Sequence, residues 1–418
     1  MPVDLVVVGL GYVGLPLAQA AVAAGLRTVG FDLDKAVLDT LGAGRSHVDD
    51  ISDADVAEMR QRGFVVTDDP ATFAPAAAVV VCVPTPLSAS GGPDLSAVES
   101  AMRAIGEHLQ PGTLVVLEST TYPGTTEDVV RPILEDGSGL RAGVDFDLAF
   151  SPERIDPGNA RFGLANTPKV VGGLTPACSE RARSFYAQFI DEVVVAKGLR
   201  EAETAKLLEN TYRHVNIALV NELARLCHEL EIDVWDVIRL AGTKPFGFQT
   251  FYPGPGVGGH CIPIDPNYLA HAIRSRLGYP FRFVELAQEI NATMPAYVVH
   301  RVQKLLNADG IAVNGASILL LGVTYKPDVA DERESPSVPI ATQLVGLGAR
   351  VSYHDPLVPE WRALELSSVP DLAGAVRGAD VVVLLQAHGA YDVDDLVGQS
   401  ARFFDTRGVA ASPAALRL

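Results

Sequence analysis

Val3-Asp-Leu-Val-Val-Val-Gly-Leu-Gly-Tyr-Val-Gly14 decides the fold. Val3 to Gly9 is an apolar run of buried-strand type. The turn Gly9-Leu-Gly-Tyr-Val-Gly14 follows, then an alanine-rich helix from Leu15 to Ala24 and a second short strand, Val29 to Asp32. A Gly-x-Gly-x-x-Gly turn between strand and helix lets a pyrophosphate approach backbone N–H groups at a helix N-terminus. Asp32 follows 23 residues after Gly9, where a carboxylate accepts hydrogen bonds from adenosine ribose hydroxyls and repels a 2′-phosphate. The unit therefore predicts NAD binding in preference to NADP, with a flavin or non-redox nucleotide as the alternative.

Further along, Ala76 to Val83 and Thr113 to Glu118 read as buried strands, ending in Pro84-Thr-Pro86 and Ser119-Thr-Thr-Tyr-Pro123. In an open parallel sheet such carboxyl ends meet the ligand. Turn formation explains the hydroxyls equally well. Leu148 to Ser151 is a further strand, leading to Glu153 and Arg154. Residues 201 to 231 predict one long helix with an apolar stripe, Leu208, Tyr212, Val215, Leu219, Leu223, Leu226 and Leu230, expected to be buried. Lys206 and Asn210 share a different face, about 200° round from Leu208. Asn216 and Asn221 in mid-helix suggest polar contacts.

The loop Gly254-Pro-Gly-Val-Gly-Gly-His-Cys-Ile-Pro-Ile-Asp265 crowds glycines before Cys261. It reads as a loop presenting a nucleophilic cysteine, or as a tight turn around a buried one. Asp265-Pro266 has the form of a helix start. From about Gly315 a second α/β pattern begins: strands Ala316 to Gly322, Arg350 to His354, Ala379 to Leu385 and Ala401 to Asp405, with a helix from about Ser337. It has no Gly-x-Gly-x-x-Gly turn, so Lys326 and Arg333 are placed against a nucleotide's phosphates instead.

The expected fold class is α/β: two doubly wound, Rossmann-like domains joined by a long central helix and a small helical domain. The assigned divisions are 1–198, an NAD-binding Rossmann domain, 199–308, a central helical domain, and 309–418, a second Rossmann-like domain. Composition fits: 418 residues, 48% apolar and 20% charged. A net charge of −18 argues against nucleic acid or an acidic membrane as partner. Four dispersed cysteines and nine histidines without ligand spacing predict neither a disulfide framework nor a metal site. The N-terminal run lacks a basic region, and Ala76 to Val83 is too short to span a bilayer, so a cytoplasmic protein is expected.

With these pieces in order, the chain resembles the UDP-glucose/GDP-mannose dehydrogenase family over essentially its full length. The motifs are Gly9 to Gly14, Val83-Pro-Thr-Pro86, Glu118-Ser-Thr120, Ser151-Pro-Glu153, Lys206-Leu-Leu-Glu-Asn210, Gly258-Gly-His-Cys261 with Asp265, and Tyr325-Lys-Pro-Asp328 with Arg333-Glu-Ser335. The Gly258 loop and Thr-Lys-Pro-Phe246 look like the bacterial branch acting on UDP-N-acetylhexosamines. The resemblance implies a homodimeric enzyme of cell-surface polysaccharide biosynthesis that oxidises a sugar C6 alcohol to a carboxylate with two NAD. UDP-N-acetylglucosamine is the expected substrate, with UDP-glucose or UDP-N-acetylmannosamine as alternatives.

By the same resemblance Cys261 forms a thiohemiacetal and then a thioester, a split suited to a thiolate. Lys206 and Asn210 stabilise oxyanions, Asp265 assists proton transfer, and Glu153 and Thr120 serve the hydrolytic water. Gly9, Gly11, Tyr12, Val13, Gly14, Asp32, Pro84, Thr85, Ser119, Thr120 and Arg333 are the implied cofactor contacts. Glu153, Arg154, Lys206, Asn210, Tyr252, Gly256, Gly258, Tyr325 and Lys326 are the implied substrate contacts. One departure stands out: Pro157 occupies the position of a second glutamate in the UDP-glucose branch. A dyad of Cys261 with its neighbour His260 is not expected, because adjacent loop side chains point apart. Two other classes remain: a two-electron hydroxyacid-type dehydrogenase and an inactive NAD-binding regulator.

Overall fold

The computed structural model describes residues 2–48, 50–87, 92–155, 161–259, 262 and 264–418. Pro157, His260 and Cys261 lie outside the described residues. The chain divides into two compact units, Met1–Glu209 with Asn267–Tyr279, and Asn210–Pro266 with Pro280–Leu418.

The first unit begins β1 (Leu5–Val8), α1 (Gly14–Ala23), β2 (Thr28–Phe31), α2 (Lys35–Gly42), α3 (Asp53–Gln61) and β3 (Val65–Thr67). It continues β4 (Ala78–Val81), α4 (Ser96–Gly106), β5 (Leu114–Leu117), α5 (Arg131–Ser138), β6 (Asp147–Phe150), β7 (Lys169–Gly173), α6 (Pro176–Tyr186) and β8 (Val193–Val195). These strands form one sheet in the order β3-β2-β1-β4-β5-β6-β7-β8, parallel except for the β6–β7 pair. Its central strands are apolar on both sides because helices cover both: Leu5 and Val7 join one core, Val6 and Val8 the other. The strand order reverses between β1 and β4, which creates the crevice where such sheets take ligands.

α7 (Leu199–Glu229) contains the boundary between the units. Beyond it lie α8 (Val234–Ala241), α9 (Asp265–Leu277), which also crosses the boundary, and α10 (Arg282–Ala308). The second unit's α/β part is β9 (Ser317–Leu321), α11 (Ser337–Gly346), β10 (Arg350–His354), β11 (Glu360–Trp361), β12 (Leu366–Ser367), α12 (Leu372–Gly378), β13 (Val381–Leu384), α13 (Val393–Gln399), β14 (Phe403–Asp405) and β15 (Leu416–Arg417). Its main sheet runs β10-β9-β13-β14-β15, wholly parallel. Leu319 and Leu321 face one core while Ile318 and Leu320 face the other. The α/β expectation of two doubly wound sheets is met.

The helix stripe is a correction. Leu208, Tyr212, Leu219, Leu226 and Leu230 are exposed, with Leu219 at 60% and Leu226 at 52%, and Val215 and Leu223 are only half-buried. The inward side of α7 carries Glu203, Lys206, Asn210, Thr211, His214 and Asn221 beside Ala202, Leu207, Ala224 and Cys227. Most of these polar residues can occupy the buried face because they find partners there, as Asn221 does by donating to Asn291 Oδ1 at 2.9 Å and accepting from Gly254 N at 2.9 Å. Asn216 instead turns back onto Tyr212 O at 2.7 Å.

Among the described residues no helix is long and apolar enough to cross a membrane, and no cluster of His, Cys, Asp and Glu could hold a metal ion.

Candidate functional site

In the first unit, the glycine turn is dictated by contact distance. A Cβ on Gly14 would lie 1.9 Å from Gly9 O, so no other residue fits where α1 starts, whereas Gly11 faces open space. Bare backbone at a helix N-terminus suits an anionic pyrophosphate. Tyr12 and Val13 are half-buried in this turn. Asp32, at the end of β2, accepts from Leu10 N at 2.8 Å through Oδ2 and from Asp34 N at 2.9 Å through Oδ1. It thus holds the turn. His47 Nε2 lies 2.9 Å from Leu10 O, so both polar atoms of that peptide are tied down.

The ends of β4 and β5 meet, and their hydroxyls bond to backbone carbonyls of the two turns. Thr85 Oγ1 donates to Thr120 O at 2.8 Å, Ser119 Oγ donates to Val83 O at 2.7 Å, and Tyr268 OH donates to Thr85 O. Pro84, exposed, sits in this turn. Glu153, just past β6, is buried; its Oε1 accepts from Ile155 N, and its Oε2 is buried without a partner. Lys206, also buried, donates to the carbonyl oxygen of Glu153. Arg154 pairs with Glu209 at 2.8 Å and donates to Pro168 O at 2.6 Å. Lys206, Glu153 and Arg154 are therefore brought together, and Ser119 and Thr120 share the same carboxyl edge of the sheet.

In the second unit, Asn210 donates through Nδ2 to Asp265 Oδ2, and both residues are buried. The glycine loop leading to Asp265 packs on its own protein. A Cβ on Gly258 would lie 2.7 Å from Glu334 O, and Gly259, at φ +90°, has the Tyr325 ring 2.8 Å from its Cβ position. Gly256 similarly abuts Pro336. The need for glycine here comes from the Tyr325 to Pro336 segment, a reason the loop's sequence does not disclose. Tyr325 and Lys326 are half-buried after β9, where Thr324 Oγ1 donates to Lys326 O at 2.9 Å. Tyr252 is largely exposed and stacks on Trp235 with centroids 6.0 Å apart. Arg333 belongs to this unit, whereas the other expected cofactor residues belong to the first, and pairs with Asp331 at 2.9 Å.

Sequence reasoning missed several groups. Arg407, beyond the end of β14, donates through Nε to Leu385 O at 2.6 Å, and its Nη1 lies 3.1 Å from the Cβ position of Gly254. Burial pulls its guanidinium down to about 10, which leaves it cationic at neutral pH and able to hold an anion. His388 Nδ1 accepts from Asp328 N at 2.9 Å while Nε2 faces Asp355 Oδ2 at 3.1 Å, and Asp355 accepts from Val323 N at 2.7 Å. Burial pushes the Asp355 carboxyl up, but the hydrogen bonds from His388 and from the Leu357 and Val323 N–H groups outweigh it and leave the carboxyl below its ordinary value. This bracket fixes the loop from Val323 to Asp328. A polar residue just past a strand end was the available signal for both.

Three family models match in chain order: the NAD binding domain of the UDP-glucose/GDP-mannose dehydrogenase family over residues 3–190, its central domain over 200–293, and its UDP binding domain over 319–412. The chain is 37% identical to the UDP-N-acetyl-D-glucosamine 6-dehydrogenase of Pseudomonas aeruginosa, covering 92% of this chain and 90% of that protein. It is 35% identical to the UDP-N-acetyl-D-mannosamine dehydrogenase of Salmonella typhi, covering 96% and 98%. The solved UDP-D-ManNAc dehydrogenase of Pyrococcus horikoshii superposes with a TM-score of 0.89 at 32% identity, covering 99% and 97%.

Proposed function

The chain belongs to the UDP-glucose/GDP-mannose dehydrogenase family and is an NAD-dependent UDP-sugar dehydrogenase, and from that premise we propose that it oxidises the C6 alcohol of UDP-N-acetylglucosamine to the carboxylate. The observation that carries this reading is the buried polar side of α7: Lys206 engages Glu153, and Asn210 engages Asp265. Buried polar groups that pair with one another at strand and helix ends are suited to stabilising developing charge. Likeness to the Pseudomonas aeruginosa enzyme supports the choice of sugar.

The Gly9 to Gly14 turn would hold NAD, which when bound would supply the hydride acceptor for each of the two C6 oxidations. Lys206 faces the C6 oxyanion with its ammonium, and Asn210 adds a hydrogen bond beside it. Cys261 attacks the aldehyde to give a thiohemiacetal, and loss of the second hydride leaves a thioester. Water then cleaves the thioester, with Glu153 taking a proton and Thr120 orienting the attack; Asp265 serves proton transfer at the thiol. Tyr325, Lys326, Gly256, Gly258, Tyr252 and Arg154 are assigned to the UDP-sugar, and Arg333 to the cofactor. The exposed apolar side of α7 supports a homodimer, and the soluble cofactor and substrate fit a cytoplasmic setting.

NADH yield per molecule of limiting sugar, measured over UDP-N-acetylglucosamine, UDP-glucose and UDP-N-acetylmannosamine with products identified by mass, tests the reading. Two NADH and a uronic acid from UDP-N-acetylglucosamine are expected. The same yield from another sugar alone would move the substrate. One NADH with a carbonyl product would place the chain with two-electron dehydrogenases, and no turnover would leave an NAD-binding regulator.

A further inference from the structure

Beneath Glu153 the first unit buries a charged cluster that the reaction above does not use. Lys169, the first residue of β7, points its ammonium at Glu118 Oε1 at 3.0 Å, with the two side chains only 5% and 0% exposed. The same ammonium lies 4.9 Å from the centre of the Tyr186 ring, and Tyr186 OH donates to Glu118 Oε1. Burying an ion pair is costly, and an apolar pair of similar volume usually serves stability as well. Its position suggests another use. β5 and β6 pair in register at Leu117 and Phe150, Ser151 Oγ donates to Val170 O at 2.8 Å, and Arg154 Nη1 donates to Pro168 O at 2.6 Å. The cluster is thereby laced to the Ser151 to Arg154 segment on both sides.

Two carboxylate oxygens in this region, Glu118 Oε2 and Glu153 Oε2, are buried without a partner. A small pocket of about 10 Å³, partly open to solvent, is lined by Glu153, Arg154, Ile155, Thr167 and Lys169. That is close to the smallest space that seats one water, and a buried water needs polar partners. An ammonium has three donors, and the described contacts of Lys169 with Glu118 use one of them. Burial pulls the Lys169 ammonium down, but the charges of Glu118 and Glu153 outweigh it and hold it above its ordinary value.

We propose that Lys169, clamped by Glu118 and Tyr186, is a positioning residue for Glu153 in thioester hydrolysis, acting through one water seated in the cavity that both line. The inference rests on the four-electron reading above. In that half-reaction the water oxygen forms its bond to the acyl carbon and the carbon–sulfur bond to Cys261 breaks. One water proton passes to the Glu153 carboxylate, and the thiolate leaves with the electron pair; nothing is oxidised or reduced. The water in the cavity orients Glu153 and is distinct from the attacking one.

The test is rapid-quench kinetics with intact-mass detection on the full enzyme, comparing wild type, Lys169→Met and the double variant Lys169→Met with Glu118→Leu. The double variant removes both charges together, so no lone carboxylate is stranded and the fold is kept; NAD binding and circular dichroism confirm it. Loss of a positioned general base lowers the hydrolytic rate by about 10²-fold or more. The expected result is a burst of two NADH per site, an acyl adduct on the protein, and a kcat about 10²-fold down with kcat/KM within about twofold of wild type, so that KM falls together with kcat. A folded double variant with wild-type kcat and no adduct would overturn the proposal. So would one slowed before the first NADH, since that places the cluster's role ahead of hydrolysis. A wild-type enzyme yielding only one NADH per sugar would sink the four-electron reading first, and this inference with it.

Discussion

Acid should weaken the second unit through His214, the most deeply buried of its acid-sensitive histidines. His214, on the inward side of α7, is 2% exposed; its Nδ1 meets Asn291 Nδ2 at 3.5 Å and its Nε2 is buried without a partner. Burial lowers it from 6.5 to about 4. A base whose folded value is depressed stays neutral in the native state, while the unfolded chain takes up the proton as the pH falls below 6.5. Stability is therefore full above that value and is lost between 6.5 and about 4. At pH 5 the unfolded state gains about 2.1 kcal/mol from protonation and the native state under 0.1, a net loss of about 2 kcal/mol; the full loss approaches about 3.4 kcal/mol. Urea unfolding followed at pH 7.5 and 5.0, for wild type and His214→Gln, isolates this contribution because other titrating groups are common to both proteins. The variant is expected to be less stable than wild type at pH 7.5 but to lose about 2 kcal/mol less on acidification. Equal losses in the two proteins would refute the assignment of a neutral buried His214.

Asp32→Ala removes the acceptor for Leu10 N as well as the proposed ribose contact, so NAD affinity should fall about 10- to 100-fold with weaker discrimination against NADP; titration calorimetry with both cofactors checks it. Leu219→Asp, on the exposed side of α7, should turn a dimer into monomers in sedimentation velocity without unfolding the chain, whereas an unchanged mass would move the interface elsewhere. Gly259→Ala forces a side chain into φ +90° and within 2.8 Å of the Tyr325 ring, so a loss of about 1–3 kcal/mol in stability is expected; a melting temperature equal to wild type would show that the loop gives way freely.

Much of the fold is legible because the strands announce themselves. Arg350 to His354 is found at the same residues as read, while Ala76 to Val83 shortens to Ala78–Val81, since strand ends are set by pairing partners that apolar runs do not specify. The glycine turn was equally legible, its meaning depending only on the strand before it and the helix after it. What stayed hidden involves distance along the chain. Glu118 and Tyr186 are 68 residues apart, so neither their hydrogen bond nor the Lys169 pair leaves a local trace. Glycine-crowding in the Gly254 loop was visible, but its cause, the approach of Tyr325 and Glu334, was not.

The misread face of α7 follows from a competition between two periodic patterns on one helix. At 100° per residue, His214 and Asn221 fall within about 40° of Asn210, whereas Tyr212, Leu219, Leu226 and Leu230 stand about 160–200° away. Both sets repeat at helical spacing, and an isolated sequence favours burying the leucines. Asn210, His214 and Asn221 prevail because each meets a specific partner inside the second unit, Asp265, Asn291 and Gly254 among them, and an unpartnered amide there would cost about 1–3 kcal/mol. The leucines have no such geometric demand. Any apolar surface satisfies them, including the same helix of a second copy, where burying each is worth about 1.5–3 kcal/mol. A helix that gives its inner side to polar chemistry thus acquires an outer side that wants a partner, and the proposed function and the proposed dimer draw on one constraint.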